Sequence, residues 1–82
     1  MSIKRLSSDS LEVIFSDGKL LYSYNTPVAM FNNLENKFYR TNKKWSKTTS
    51  NYINSWIPKN AVVEEKDQDY FNKFVQEIKL TY

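Results

Sequence analysis

The chain has 82 residues and a formal net charge of +3, with 40% of its residues apolar and 26% charged. That length fits one small domain spanning residues 1–82, and an apolar fraction that includes thirteen aromatic side chains argues against a disordered chain. The sequence holds no cysteine and no histidine, which excludes disulfide scaffolds, thiol nucleophiles, imidazole bases and the common zinc sites.

No stretch of the sequence approaches the roughly 18 consecutive apolar residues that a membrane span needs. The first ten residues, MSIKRLSSDS, also lack the apolar stretch of a secretory signal. We therefore expect a soluble, cytoplasmic protein with no membrane partner.

The positive charge is concentrated in the middle of the sequence. Residues 37–59 carry six Lys and Arg side chains and no acid, whereas residues 1–36 sum to −1 and residues 60–82 to −2. The net charge thus reflects a basic middle segment between weakly acidic ends.

The first predicted element is a β-hairpin. Residues 11–16 place Leu11, Val13 and Phe15 on one side, and residues 19–25 are rich in aromatic side chains that suit a half-buried strand. Between these runs stands the dipeptide Asp17-Gly18, which favours a type I′ turn because both central positions need a positive φ. We therefore predict a turn centred on Asp17 and Gly18.

A second hairpin is predicted farther along the chain. Pro27 has no N–H to donate, so we expect the ladder to break at residues 26–27 and a new strand to begin near Pro27. Residues 28–31 and 37–41 then form two strands around a turn at residues 32–36, whose Asn residues tolerate left-handed backbone. Four antiparallel strands in a meander result.

The spacing of large side chains changes after residue 44 to that of a helix. One helical face would carry Trp45, Thr49, Tyr52, Ile53 and Trp56. The hydroxyl of Ser46 suits an N-cap, and Pro58 cannot continue a helix. We predict a helix from residue 46 or 47 to residue 57.

The last segment predicts a second helix. Residues 61–64, before it, fit a short fifth strand or an extended linker equally well. Asp67 and Asp69 would lie in the first turn and Lys79 near the end, where the helix dipole favours their charges. The apolar stripe is formed by Tyr70, Phe71, Phe74, Val75 and Ile78.

These elements together predict an α+β domain. A small antiparallel meander of four strands, or five if residues 61–64 form one, packs against two C-terminal helices. We expect both helices on one face of the sheet.

Residues 37–50 combine cations, aromatic rings and hydroxyls, the groups that contact phosphates and stack on bases. The first turn of the predicted helix would add N–H donors and a positive dipole end. The alternative is that the aromatics are core and the lysines a solvated surface, as is common for lysine-rich loops. The candidate binding residues are Lys37, Arg40, Lys43, Lys44, Ser46, Lys47 and Thr48.

The residues that remain do not predict catalysis or a metal site. Glu64, Glu65, Asp67 and Asp69 lack the spacing and the central glycine of an EF-hand loop. Serine and threonine hydroxyls have no histidine to activate them. We expect a protein without cofactor, metal or enzymatic activity.

Three segments carry a resemblance to a known family: residues 23–29 (SYNTPVA), residues 39–49 (YRTNKKWSKTT) and residues 53–57 (INSWI). They resemble a domain of unknown function found in short proteins of phages, plasmids and related mobile elements, whose pattern is S-Y-x-T-P-V-A followed by Y-R-T-x-x-K-[WY]-S-x-T-T-x-x-H-I-x-x-[WL]. The resemblance spans residues 23–57 and implies origin and shape without an assigned activity. Tyr52 stands where the pattern has histidine, which puts any role of an imidazole in doubt here.

The leading functional hypothesis is a non-enzymatic accessory protein of phage or mobile-element type that binds a macromolecule. By analogy with other phage proteins, the target is a host or defence complex, as for anti-CRISPR proteins. The alternative is direct DNA or RNA binding through the basic segment 37–47. A third hypothesis is a structural subunit that self-associates through an exposed sheet edge or through surplus aromatic side chains.

Overall fold

A computed structural model describes residues 2–80, with side chains as far as Glu77. In chain order, this part of the chain forms six strands and two helices: β1 (Ser2–Arg5), β2 (Ser10–Phe15), β3 (Gly18–Ser23), β4 (Thr26–Asn32), β5 (Lys37–Thr41), α1 (Lys47–Trp56), β6 (Val63–Lys66) and α2 (Gln68–Leu80).

The six strands form one sheet in which spatial order follows chain order. Strands β1 to β5 are antiparallel neighbours, and β6 pairs in parallel with β5. A parallel neighbour requires a crossover connection, which α1 provides. The predicted α+β class, a strand meander packed against two helices, is confirmed.

The turn of the first hairpin differs from the prediction. Phe15 lies opposite Gly18, so the two loop residues are Ser16 and Asp17, and neither they nor Gly18 has a positive φ. The predicted type I′ turn at Asp17-Gly18 is therefore wrong. Glycine is needed for space, since a Cβ at this position would overlap the backbone carbonyl of Phe31 on β4.

A turn with positive φ angles joins β3 to β4 instead. Tyr24 has a φ of 50° and Asn25 a φ of 65°, and both lie between the paired residues Ser23 and Thr26. Two positive φ angles in a two-residue loop define the type I′ class. The ladder continues through Pro27, contrary to expectation, because a bulge between β3 and β4 adjusts the register beside it.

The second hairpin has its predicted Asn-rich turn. Asn36 has a φ of 52°, and the side chain of Asn32 accepts a hydrogen bond of 2.9 Å from the N–H of Leu34. Both features stabilise the loop between β4 and β5.

The first helix agrees with its predicted bounds. Ser46 is the N-cap, and its Oγ accepts a 3.1 Å hydrogen bond from the N–H of Thr49. Ile57 is the C-cap, directly before Pro58. Trp45 lies before the cap and not on the helix, so its assignment to the helical stripe is wrong.

The second helix is capped by Asp67, whose Oδ1 accepts a 3.0 Å hydrogen bond from the N–H of Tyr70. Its apolar stripe packs through Phe71, which is fully buried, and Phe74. The stripe residue Ile78 and the cation Lys79 have side chains outside the described residues. Within the part of the chain that the structure describes, neither helix has the length and apolarity to cross a membrane.

The two helices pack on opposite faces of the sheet, and the expectation of a single face is wrong. Leu20 belongs to a core cluster with Phe71 of α2, whereas its neighbour Leu21 belongs to a cluster with Ile53 of α1. Successive residues of a strand point to opposite faces, so each helix covers its own side.

The sequence of the central strand β4 explains why both faces of the sheet are covered. The run Val28, Ala29 and Met30 in β4 is buried at every position, which requires apolar cover on both faces. Helix α1 covers one face as it crosses from β5 to β6, and α2 covers the other after β6.

The outer strands were the weakest predictions. The segment predicted as a strand or a linker, residues 61–64, overlaps with strand β6, which begins two residues later and covers Val63–Lys66. Strand β1 was not predicted, since all four of its residues are exposed and show no alternation between buried and exposed positions.

Candidate functional site

The basic segment runs from β5 through the connection at residues 42–46 into α1. Lys43, Lys44 and Lys47 are exposed there. Strand β5 fixes one end of the connection and the cap of α1 fixes the other, so the lysines lie at a defined corner between the sheet and the helix.

A surface groove of about 340 Å³ opens at this corner, and we call it the basic groove. Four cations line it: Arg40, Lys43, Lys44 and Lys47. Among the described lining residues, Glu65 is the one acid. The groove therefore carries a strong excess of positive charge, which favours an anionic ligand.

Arg40 forms the inner wall of the basic groove. It lies opposite Glu65 in the β5–β6 register, and its Nη1 donates a 3.1 Å hydrogen bond to the Oδ1 of Asn54 on α1. Its Nε is buried and has no partner within the described part of the chain. The guanidinium is thus positioned by the sheet and the helix together and keeps donor capacity.

Lys37 does not join the other cations. It pairs with Glu64 at 2.5 Å, and Glu64 also pairs with Lys66 at 2.6 Å. Lys37 and Arg40 are three positions apart in β5, which places them on opposite faces of the sheet. Lys37 is therefore ion-paired on the other face, and its assignment to the same surface does not agree with the geometry.

The ion pairs of Glu64 change its titration. Hydrogen bonds from Lys37 and Lys66 lower the pKa of Glu64 to about 2, and the hydrogen bond to Glu64 raises the pKa of Lys66 above its ordinary value. Of the four acidic residues between positions 64 and 69, Glu64 is thus engaged in ion pairs and Asp67 in capping α2. No cluster of three or more metal-ligating side chains occurs among residues 2–77.

Trp45 lies at the centre of the candidate surface, with 42% of the residue exposed. Lys43 Nζ is 4.1 Å from the centroid of its ring, a cation–π contact. The indole Nε1 donates a 3.1 Å hydrogen bond to Gln68, whose amide donates to the carbonyl of Pro27 at 2.7 Å. The ring is thus fixed against α2 and β4 while remaining on the surface.

A second groove, of about 580 Å³, adjoins the first, and we call it the aromatic groove. Tyr24, which is 52% exposed, lines it together with Trp45, Lys44 and Thr48. Desolvation, and after it the charge of Asp9, raise the pKa of the Tyr24 phenol. Tyr24 was not predicted as a site residue. The sequence signal that could have identified it is the dipeptide Tyr24-Asn25, which indicates an exposed turn.

The hydroxyls of the site divide into two roles. The Oγ of Ser46 accepts from the N–H of Thr49 and donates to Thr49 Oγ1 at 3.3 Å, so this side chain serves the helix cap. Thr48 is exposed. The N–H groups of Lys47 and Thr48 lie in the first turn of α1, where backbone donors have no partner within a helix.

The two grooves share four lining residues: Lys44, Trp45, Ser46 and Thr49. The structure therefore brings six of the seven predicted site residues to one corner of the molecule, the exception being Lys37. It adds Tyr24 and Trp45 as exposed aromatic partners of the cations.

Comparison with curated proteins gave no match, and comparison with solved structures gave none. A model of the family of unknown function DUF8033 matches residues 1–73, which hold the whole sheet, α1 and the start of α2. Because that match covers most of the 82 residues, the chain belongs to the family of unknown function DUF8033.

Proposed function

We propose that this protein is a non-enzymatic module that binds nucleic acid through the surface around the start of α1. The observation that carries the proposal is the convergence of Arg40, Lys43, Lys44 and Lys47 on one groove with Glu65 as the one acid among its described lining residues. Phosphate oxygens are the chemical match for such a surface, since they accept hydrogen bonds and carry regularly spaced negative charge.

The sign of the charge supports direct nucleic-acid binding over one form of the inhibitor hypothesis. An inhibitor that fills the nucleic-acid channel of a defence complex meets positive charge there, and the basic groove would be repelled by it. The same groove is attracted to the nucleic acid itself. We therefore propose direct contact with DNA or RNA, and where a host or defence complex is the target, contact with its nucleic-acid component.

The absence of catalysis is part of the proposal. The sequence has neither His nor Cys, and Ser46, a hydroxyl that lies between Lys44 and Lys47 in the chain, is engaged in capping α1. We also include in the proposal the phage or mobile-element origin that the family resemblance implies and the cytoplasmic location that the sequence leads us to expect.

Binding of a fluorescein-labelled DNA 20-mer, followed by fluorescence anisotropy, tests the proposal. The variant Lys43→Glu with Lys44→Glu reverses two charges of the basic groove, and Lys19→Glu with Lys73→Glu makes the same charge change at two exposed lysines that line neither groove. Surface changes of this kind shift stability by less than about 0.5 kcal/mol each, so thermal midpoints should stay close to wild type.

We expect the first variant to lose at least tenfold in affinity and the control variant to lose far less, because only the first removes phosphate contacts. Equal losses in the two variants would show that net charge alone drives binding. Absence of binding by wild type to DNA and to RNA of the same length would refute the proposed function.

A protein partner is a second candidate because the β1 edge is open. All four residues of β1 are exposed, Ile3 has 68% of its surface accessible, and β1 pairs only with β2 within the described sheet. Unpaired edge strands accept a further strand. Light scattering at increasing concentration tests this candidate, since a dimer that Ile3→Lys abolishes would support strand addition between copies, and a monomer at all concentrations would contradict it.

A further inference from the structure

Two exposed aromatic residues share one groove. Tyr24 is 52% exposed and Trp45 42% exposed, and both line the aromatic groove. Two large aromatic rings exposed beside each other form an apolar patch, and such patches commonly mark binding surfaces. Their position is therefore informative about what the surface binds.

Neither ring is needed to fill the core. The cluster under α1 is built from residues such as Leu21, Val28 and Ile53, and the other tryptophan, Trp56, packs against that cluster and donates its indole N–H to Glu12 at 2.8 Å. Trp45 belongs to neither core cluster of the described residues.

The Trp45 ring and the Tyr24 backbone are held in place before any ligand binds. Gln68 fixes the indole of Trp45, as described above. Tyr24 lies in the type I′ turn, and its N–H donates a 2.8 Å hydrogen bond to the carbonyl of Asp9, which fixes the point from which its ring projects. Groups that are already positioned lose less conformational entropy on binding, which favours stacking.

Cations flank the rings on the side of the basic groove. Lys44 lines both grooves, and Lys43 contacts the ring of Trp45. The surface is therefore continuous, with positive charge at one end and exposed rings at the other. A ligand that matches it offers phosphates and flat unpaired rings within one flexible chain.

We propose that the ligand is single-stranded nucleic acid, with bases stacked on Tyr24 and Trp45 and the adjoining phosphates on Lys43, Lys44 and Lys47. This inference rests on the proposed function. A duplex satisfies the phosphate sites but keeps its bases stacked on one another, so their faces cannot reach the rings. The aromatic groove, about 580 Å³, has the volume of a small-molecule site and accommodates a base.

Three DNA probes separate the contribution of the bases from that of the phosphates. They are a 12-residue oligothymidylate, an abasic deoxyribose-phosphate chain of the same length, and a 12-base-pair duplex. Variants Trp45→Leu and Tyr24→Asn remove the rings, and asparagine tolerates the positive φ of residue 24. Tyr24→Phe keeps the ring and is the matched control. Circular dichroism melts verify that each variant folds.

We expect wild type to bind oligothymidylate more tightly than the abasic chain by roughly 5- to 150-fold for each stacked base. Trp45→Leu and Tyr24→Asn should each reduce that ratio, and Tyr24→Phe should preserve it. Oligothymidylate should also quench the tryptophan fluorescence of wild type, and Trp45→Leu should abolish this quenching.

Equal affinity for oligothymidylate and the abasic chain would overturn the stacking inference and leave phosphate binding intact. Tighter binding of the duplex would overturn it as well, in favour of a double-stranded ligand. Failure of all three probes and of a 12-residue oligouridylate to bind would refute the proposed function itself, so the two failures are distinguishable.

Discussion

The hydroxyls of Ser23 and Thr49 share a buried hydrogen bond of 2.8 Å between the end of β3 and the first turn of α1. Thr49 Oγ1 also accepts from Ser46 Oγ, and the Thr49 N–H donates to the same cap. The start of α1 is thus tied to the sheet by polar contacts in a region where the surrounding core is apolar. The position of the basic groove depends on this connection.

Thr49→Val is expected to destabilise the fold by about 1 to 3 kcal/mol, since it leaves the buried Ser23 hydroxyl without its partner. Adding Ser23→Ala should cost less than the sum of the two single changes, because the unsatisfied group is then removed. Urea unfolding of the two single variants and the double variant measures the coupling. Strict additivity would show that the hydrogen bond contributes nothing to stability.

Gly18→Ala is expected to destabilise by several kcal/mol or to prevent folding, because the added Cβ meets the carbonyl of Phe31. Asn25→Gly, at a φ of 65°, is the contrasting change, and it should be tolerated. Thermal melts compare the two. A stable Gly18→Ala variant would show that β3 and β4 do not approach as closely as the structure indicates.

Phe71→Ala should cost about 3 to 5 kcal/mol, because Phe71 is fully buried under the sheet face that α2 covers. Phe74→Ala should destabilise the fold less, since Phe74 is half-buried at the margin of the core. The centroid of its ring lies 5.5 Å from that of Phe15. Chemical denaturation ranks the two. The reverse order would mean that α2 is rotated about its axis relative to the described packing.

Glu64 should make stability fall in acid. Its pKa is lowered from 4.5 to about 2 in the folded chain, so its contribution is complete above pH 4.5 and is lost as the pH falls toward 2. Glu64→Gln should reduce the change of the urea midpoint with pH across this range. Glu65→Gln, one residue along β6, is the control. An unchanged pH profile in Glu64→Gln would show that the pairs with Lys37 and Lys66 are fully screened by solvent.

The elements that the sequence predicted well are those whose signals are local. The cap at Ser46 and the stop before Pro58 are signals at the two ends of α1, and the apolar stripe through Phe71 lies within α2. The placement of the helices on opposite faces depends on the parallel pairing of β5 and β6, which joins residues 25 positions apart in sequence, as for Phe38 and Val63. No periodicity within either segment encodes that pairing.

The candidate site divides in the same way. Arg40, Lys43, Lys44 and Lys47 were predicted because charge can be counted along a sequence. Lys37 was included by the same count, and its neutralisation by Glu64 depends on the sheet. The exposure of Tyr24 follows from a turn whose two positive φ angles were assigned to the wrong hairpin.

The salt dependence of binding to a single-stranded oligonucleotide tests the central claim most directly. The three phosphate contacts proposed for Lys43, Lys44 and Lys47 on a single strand predict a slope of log affinity against log salt of about −2, and Lys43→Glu with Lys44→Glu should make that slope shallower by about 1 to 1.5 units. The control Lys19→Glu with Lys73→Glu should keep the wild-type slope. A wild-type slope near zero, or the same slope in the wild type and the Lys43→Glu, Lys44→Glu variant, would contradict the account.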